Sequence, residues 1–304
     1  MKGLSMDKSN TNTSYERKSV YSNDVIPTKT LQDLNMMDSF LFEVATEDME
    51  NAKKIAKIII RRATGHLVEN LIVESQKQLK GLSLDRHGIR MDLYVQETSS
   101  AENNVSTLRL YDIEPNKYYE KDLPRRSRFY QSLMDSKLLQ RKFRYQHLPD
   151  MITIWILPYD PFGDNRMIYT IKNMVVENQN LVYNDGITKI ILYTKGTRGG
   201  SKELKDLLTY LENTTLSNAV DRELQELQEI VNNVKGKEDV GERYMTLQEM
   251  IDYEKRDSYE DGHIRGIIEA YHHLSDNRSK TKEKIMEQFQ LSSEQAEEYL
   301  NLYW

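Results

Sequence analysis

Residues 151–157 read Met-Ile-Thr-Ile-Trp-Ile-Leu and lie between Pro149 and Pro158. A nearly continuous apolar run of this length predicts a central strand that is buried on both faces. Such a strand requires a neighbouring strand on each side and helices above and below the sheet. We therefore expect this segment to lie at the centre of an α/β core.

A predicted hairpin precedes this strand. Residues 89–95 alternate apolar and polar side chains, and so do residues 108–114, which predicts two strands. We expect the polar residues 98–106 to form a long loop between them. Pairing of Thr98 with Leu108 would close such a hairpin.

The remaining core elements are predicted from hydrophobic periodicity. The pattern predicts one long helix or two short helices over residues 38–62, with Gly65 as the stop. It also predicts a helix over residues 123–139 and strands over residues 168–176 and 187–193. The order of these elements favours an α/β core of about 160 residues, within the usual size of a domain.

Composition excludes several classes of protein. The 304 residues contain no cysteine, which rules out thiolate chemistry and disulfides and fits a cytoplasmic location. No apolar run reaches about 18 residues, so the sequence predicts no membrane span. The polar residues 1–32 are expected to be a disordered tail. The formal charge of -6 means that any binding of nucleic acid depends on a local basic patch.

The C-terminal part of the chain is helical and acidic. Residues 203–262 contain 16 Asp and Glu against 7 Lys and Arg. We expect a linker over residues 232–243, followed by helices over residues 245–274 and 281–304. The last helices are predicted to be a packing or oligomerisation element, so the chain could form a homo-oligomer through them.

Two carboxylates fall on the predicted hairpin. The register that pairs Thr98 with Leu108 also places Asp92 opposite Glu114, with Cβ atoms roughly 5 Å apart. Two charges at that distance repel by about 3 kcal/mol at an effective dielectric constant near 20. A bound cation such as Mg²⁺ would resolve this conflict. The alternative is that both acids are solvated residues of a hairpin with a different register.

A basic segment follows the acidic pair. Residues 121–144 contain eight Lys and Arg and two acids, interleaved with aromatic side chains. This segment is the clearest candidate in the sequence for contact with phosphates. The alternative is a solvated helix face.

Three segments carry a resemblance to a known family: residues 88–95 (GIRMDLYV), 112–116 (DIEPN) and 123–131 (LPRRSRFYQ). In order and spacing they resemble the PD-(D/E)XK nuclease superfamily, and within it the branch described as recombination-promoting nucleases or transposases. The similarity extends over about residues 33–300. It implies a restriction-endonuclease-like core at 33–235, with a mixed central sheet flanked by helices, and a helical region at 236–304.

The resemblance also implies an activity and a site. It implies a DNA endonuclease that uses Mg²⁺, or Mn²⁺, to hydrolyse phosphodiesters and promotes recombination or transposition. Asp92 and Glu114 would bind the metal, and the carbonyl of Pro115 would lie near it. Asn116 occupies a position that is Lys in the superfamily and often Gln in this branch. Lys117, Lys121, Arg125 or Arg126 could supply the missing positive charge.

DNA is the partner that the resemblance implies. The residues expected to contact it are Lys121, Arg125, Arg126, Arg128 and Tyr130. The alternative to the enzyme is a catalytically degenerate nuclease fold that binds DNA or another protein through the same basic helix.

Overall fold

The computed structural model describes residues 29–80, 88–101, 104–138, 144–145, 148–275 and 277–304. The strands in this part of the chain are β1 (Leu71–Leu79), β2 (Ile89–Ala101), β3 (Asn104–Pro115), β4 (Asp150–Leu157), β5 (Ile168–Ile171) and β6 (Ile187–Tyr193). The α-helices are α1 (Ser39–Thr46), α2 (Met49–Thr64), α3 (Leu123–Leu138), α4 (Lys202–Glu212), α5 (Arg222–Lys235), α6 (Glu238–Ser275), α7 (Arg278–Phe289) and α8 (Ser293–Tyr303). Residues 1–28 of the predicted tail lie outside the described residues.

Two helices cover the first periodic segment. The carboxylate of Asp48 accepts hydrogen bonds from the backbone N–H groups of Glu50 and Asn51, as an N-cap residue does. Gly65 ends α2 with a φ of 74°, a left-handed conformation that glycine adopts without steric cost. The two-helix alternative and the stop at Gly65 are both confirmed.

The strands form one mixed sheet in the order β1-β2-β3-β4-β6-β5. The strand β2 is antiparallel to both β1 and β3. The strand β4 is parallel to both β3 and β6, and β5 runs antiparallel to β6. The central position predicted for residues 151–157 is confirmed, because β4 lies between β3 and β6. The strand predicted at residues 168–176 ends earlier, at Ile171. The strand β1 was not predicted.

The predicted loop at residues 98–106 is wrong. The strands β2 and β3 continue to pair as far as Ala101 and Asn104. The polar composition of the segment favoured a loop, but it also contains the β-branched residues Thr98 and Val105, a type enriched in strands. A bulge between Glu97 and Thr98 shifts the register by one residue, so Thr98 pairs with Thr107 and not with Leu108.

Helices cover both faces of the sheet. One face packs against α1, α2, α4 and α5 through an apolar core that includes Leu93, Ile113 and Ile154. The opposite face packs against α3, in a second cluster that includes Leu110 and Trp155. The coarse prediction of a mixed α/β sheet flanked by helices is confirmed.

The C-terminal helices extend away from this core. The predicted linker at residues 232–243 is wrong, because α5 continues to Lys235 and α6 begins at Glu238. The first turns of α6 add Val240 and Tyr244 to the main core. Its last turns pack with α7 and α8 in a separate small cluster around Ile264, Ile268 and Ile285. Among the described residues, no helix combines the length and apolarity that a bilayer crossing requires.

Candidate active site

The structure brings Asp92 and Glu114 together. On the acidic side of the bulge, β2 and β3 pair Leu93 with Ile113, which is the predicted register at this point. One residue further along the ladder, the backbone N–H of Asp92 donates a hydrogen bond of 2.8 Å to Glu114 Oε1. The predicted proximity of the two acids is therefore present, although the pairing proposed at Thr98 is not.

A third carboxylate, which the sequence analysis did not single out, lies beside this pair. Asp112 is two residues before Glu114, so both side chains lie on the face of β3 that packs against α3. Both are buried, with relative exposures of 0% and 2%. Asp92 is half-buried.

Burial dominates the ionisation of this acidic cluster, defined as Asp92, Asp112 and Glu114. It raises the pKa of Asp112 to about 7, with the charge of Asp92 adding to the effect. It raises the pKa of Glu114 well above the usual range, and the charges of Asp112 and Asp92 raise it further. The pKa of Asp92 is also raised by burial. Without a cation, the cluster therefore retains protons near neutral pH.

Buried polar atoms near the cluster lack partners. Neither carboxylate oxygen of Asp112 accepts a hydrogen bond from a donor. Contact between Asp112 and Glu114 becomes a hydrogen bond only if one of them holds a proton. Within the described residues, four further unpartnered atoms lie on the sheet face under α3 or on the buried side of α3: Ser127 Oγ, Gln131 Nε2, Thr153 Oγ1 and Trp155 Nε1. Such atoms indicate a place for water, an ion or a ligand.

Arg126 is the cation closest to the pair. Its Nη2 lies 3.7 Å from Glu114 Oε2, and its Nη1 donates a hydrogen bond of 2.8 Å to Glu120. The guanidinium also lies over the rings of Tyr130 and Trp155. Burial lowers its pKa, but hydrogen bonds to Tyr130 and Glu120 more than offset this, so Arg126 stays charged. Arg126 therefore lies against the acidic cluster and not along the exposed side of α3, so the predicted DNA contact would be to a phosphate at the cluster.

Tyr130 is turned inward. It is 6% exposed, and its hydroxyl accepts hydrogen bonds from Arg126 and donates one to the carbonyl of Arg90. A buried ring has no surface to offer DNA, so this predicted contact is not supported by its position. The neighbouring ring of Phe129 is exposed.

Asn116 and Lys117 follow β3 without reaching the acidic pair. The Asn116 amide donates to Glu120 Oε2 at 3.2 Å and its carbonyl accepts from the backbone of Tyr118. Lys117 forms an ion pair with Asp38, so it does not supply a charge at Glu114. Pro115, whose carbonyl was expected near the metal, is buried at the end of β3.

Three of the predicted DNA contacts remain on the surface. Lys121, Arg125 and Arg128 are exposed at the start of α3, with Arg125 3.7 Å from Asp122. Part of the basic segment, residues 139–143, lies outside the described residues. In the described part of this segment, five basic side chains are exposed: Lys121, Arg125, Arg128, Lys137 and Arg144.

The donor set of the cluster fits Mg²⁺. Magnesium prefers carboxylate oxygens, retains several waters and commonly binds through one or two carboxylates. Within the described residues, no group of three or more His, Asp or Glu side chains is arranged to hold a metal ion. Asp92 and Glu114 would therefore hold the ion as a pair, with water completing the coordination. The unpartnered oxygens of Asp112 are available to bind such waters.

Sequence reasoning missed Gln76. Its amide lies 3.4 Å from Asp92 Oδ1, and the residue has a φ of 53° within β1. The strand β1 carries mostly polar side chains beyond Val73, so its sequence gave no apolar alternation to detect.

No family model matches the chain, and neither a curated protein nor a solved structure does. The resemblance described above rests on the motifs of the sequence.

Proposed function

We propose that the chain is a divalent-metal-dependent nuclease with a restriction-endonuclease-like core, which hydrolyses DNA phosphodiesters in recombination or transposition. The observation that carries this proposal is the acidic cluster: three neighbouring carboxyl groups, two of them buried, with Arg126 at 3.7 Å from Glu114. Replacing such a buried polar cluster with apolar side chains commonly costs little stability, so stability alone does not explain its presence.

Each residue of the cluster has a distinct part in this proposal. Asp92 and Glu114 would hold Mg²⁺. When bound, the ion would polarise a phosphodiester and lower the pKa of a water ligand. Asp112 would accept hydrogen bonds from such waters and orient them. Hydrolysis adds water across one P–O bond and leaves a phosphate monoester and a hydroxyl group.

Arg126 would replace the missing lysine. Its guanidinium lies next to Glu114 and can reach a phosphate oxygen bound at the same place, where it would stabilise the charge that develops in the transition state. Glu120 and Tyr130 hold the guanidinium in that position. Lys121, Arg125 and Arg128 would contact neighbouring phosphates from the exposed side of α3.

Cleavage of a supercoiled plasmid tests the proposal. The wild-type chain should nick it with Mg²⁺ or Mn²⁺ and not with EDTA, and Asp92→Asn should be inactive. Glu74→Gln is the matched control, since Glu74 lies on the neighbouring strand β1 with its side chain exposed. Cleavage that survives both EDTA and Asp92→Asn would contradict the site.

The alternative function is a degenerate nuclease fold that binds DNA without cutting it. The observation that favours it is that the side-chain amide of Asn116 donates its hydrogen bond to Glu120 and does not reach the acidic pair. Metal-independent DNA binding, without cleavage of any plasmid or single-stranded substrate, would favour this alternative and overturn the enzymatic proposal.

A further inference from the structure

A row of residues connects the acidic cluster to the far side of the sheet. The register pairs Asp112 with Thr153, Thr153 with Lys189 and Lys189 with Ile171. Paired residues on adjacent strands point to the same face, so this row lies under α3. Adjacent strands are about 4.8 Å apart, which places the Cα atom of Lys189 about 10 Å from that of Asp112.

A cavity lies at the end of this row, between α3 and the β5–β6 pair. Its volume is about 220 Å³, comparable to about seven waters of bulk liquid. A phosphate group with part of its sugar would fit in this space. The lining side chains that carry charge or an amide group are Arg128, Gln131, Asp135, Lys172, Asn173 and Lys189.

The charge of the cavity is predominantly positive. Arg128, Lys172 and Lys189 line it, and none of the three forms an ion pair with a carboxylate in the described part of the chain. Burial lowers the pKa of Lys189, repulsion by Arg128 lowers it further, and the nearby charge of Asp185 opposes both effects. Asp135 does not relieve this repulsion, because its own pKa is raised by burial with no cation opposing the shift.

An independent observation concerns Gln131. Its side chain is buried, with a relative exposure of 4%, and it lines the cavity. Its amide nitrogen has no hydrogen-bond acceptor among the described residues. A buried N–H group without an acceptor costs about 1–3 kcal/mol, and a bound anion would remove that cost. Cations thus line the same space as a residue that carries an unpaired donor.

We propose that this cavity binds a phosphate group. Phosphate carries enough charge to balance several cations, and the fork of Arg128 matches its oxygens. The proposed nuclease function supplies two sources for the group, an internal phosphodiester next to the scissile one or a terminal phosphate. The cavity would then fix the position of the strand relative to Asp92 and Glu114.

Binding experiments with the full chain test this inference. Fluorescence anisotropy in EDTA would compare a short single-stranded DNA that carries a 5′ phosphate, a 3′ phosphate or neither, with inorganic phosphate as competitor. Lys189→Met and Arg128→Gln should each weaken binding about tenfold. The matched control is Lys205→Met, an exposed lysine of α4 on the opposite face of the sheet, which should bind as the wild-type chain does.

The outcomes distinguish a terminal phosphate from an internal phosphodiester as the bound group. A terminal phosphate is the ligand if the phosphorylated strand binds more tightly than the unphosphorylated one, and the cavity variants abolish the difference. An internal phosphodiester is the ligand if the cavity variants weaken the binding of every strand. The slope of the logarithm of the binding constant against the logarithm of the salt concentration should then fall by about one. Gln131→Glu, which places a carboxylate against the cations, should weaken binding in either case.

The inference is overturned if the cavity variants bind every strand like Lys205→Met, and inorganic phosphate does not compete. Repeating the comparison with Glu114→Gln separates it from the proposed function. Binding that depends on Lys189 in both backgrounds, with no cleavage by the wild-type chain, supports the cavity and contradicts only the nuclease. Cleavage by the wild-type chain without dependence on Lys189 contradicts only the cavity.

Discussion

Two glutamates are buried in the same antiparallel pair of strands, and their surroundings are opposite. Glu97, at the bulge of β2, lies 2.8 Å from the His66 ring and accepts hydrogen bonds from Arg109 and Tyr111. Burial raises its pKa, but these partners more than offset the effect, so the pKa of Glu97 is lowered. Glu114 has two carboxyl groups beside it, and its pKa is raised.

The difference distinguishes a carboxylate whose charge is satisfied by its partners from one that is a candidate for function. The partners of Glu97 join the segment after α2 to the sheet and leave the charge satisfied. The surroundings of Glu114 are incomplete, because two buried acids share a space with donors that have no acceptor. A strongly perturbed group in such a place is a candidate for function, since the missing partner can be a ligand.

The largest expected effect is a difference in cleavage activity between variants of the two glutamates. Glu114→Gln should reduce metal-dependent cleavage by about 100-fold to 1000-fold, because a preorganised electrostatic contact is lost. Glu97→Gln should reduce it by less than about threefold, while lowering the free energy of unfolding by about 2 kcal/mol, since Arg109 loses part of a buried ion pair. Single-turnover plasmid cleavage and urea unfolding measure these changes. Equal losses of activity would remove the distinction.

The next largest expected effect is on the pH dependence of stability, which should differ between the acidic cluster and the surroundings of Glu97. The pKa of Asp112 is raised from 3.8 to about 7, so its neutral form favours folding below pH 4 and that contribution is lost as the pH rises through 7. Without metal, Asp112→Asn should therefore be about 2–4 kcal/mol more stable than the wild-type chain at pH 8, and equally stable at pH 4.

Urea unfolding in EDTA across this pH range measures the difference. Asp150→Asn, at the exposed start of β4, is the control and should follow the wild-type curve. An Asp112→Asn variant that is less stable at pH 8 would show that the acid has stabilising partners and that the cluster is structural.

Metal binding should have a smaller effect that depends on the same residues. Mg²⁺ at a hundred times its dissociation constant should stabilise the wild-type chain by about 2.7 kcal/mol, because it binds only the folded state. The double variant Asp92→Ala/Glu114→Ala should show no shift in Tm, whereas Glu97→Gln should retain the shift. Equal shifts in the double variant and the wild-type chain would place the metal elsewhere.

Local patterns predicted much of the fold. The apolar run of β4, the strand at β6 and the break between α1 and α2 were predicted from short segments, and the structure confirms them. The edge strand β1 was missed because most of its side chains are polar. The bulge at Glu97 was missed because a one-residue shift leaves no mark in the alternation.

The candidate site was predictable only in part. The spacing of Asp92 and Glu114 follows from strand register, which a hairpin fixes locally. The positions of Arg126 and Tyr130 depend on how α3 packs on Trp155, which lies 25 residues beyond Tyr130 in the chain. The place of Lys189 depends on strand order. Long-range pairing of β4 with β6 brings it into the row that contains Asp112, and no pattern within β6 reveals this.

The smallest effect is expected at Asn116, where the sequence departs from its apparent relatives. A lysine at this position would supply charge if the site lacked a cation. Arg126 already lies 3.7 Å from Glu114, and Asn116 is bonded to Glu120, the residue that holds Arg126. A new ammonium group would pair with Glu120 and compete with the guanidinium. Asn116→Lys should therefore change the single-turnover rate by less than about threefold, because the gain and the competition oppose each other.

The matched variants are Asn116→Gln, which retains the amide, and Arg126→Gln, which removes the charge. If Arg126 replaces the missing lysine, Arg126→Gln should lose about 100-fold in rate, and adding Asn116→Lys to it should restore part of the loss. The restored rate should depend on the positive charge, because Asn116→Gln in the Arg126→Gln background should restore none of the lost rate. An increase above about tenfold in Asn116→Lys alone would show instead that Arg126 does not act on the phosphate. The guanidinium would then be a structural partner of Glu114, as Arg109 is of Glu97.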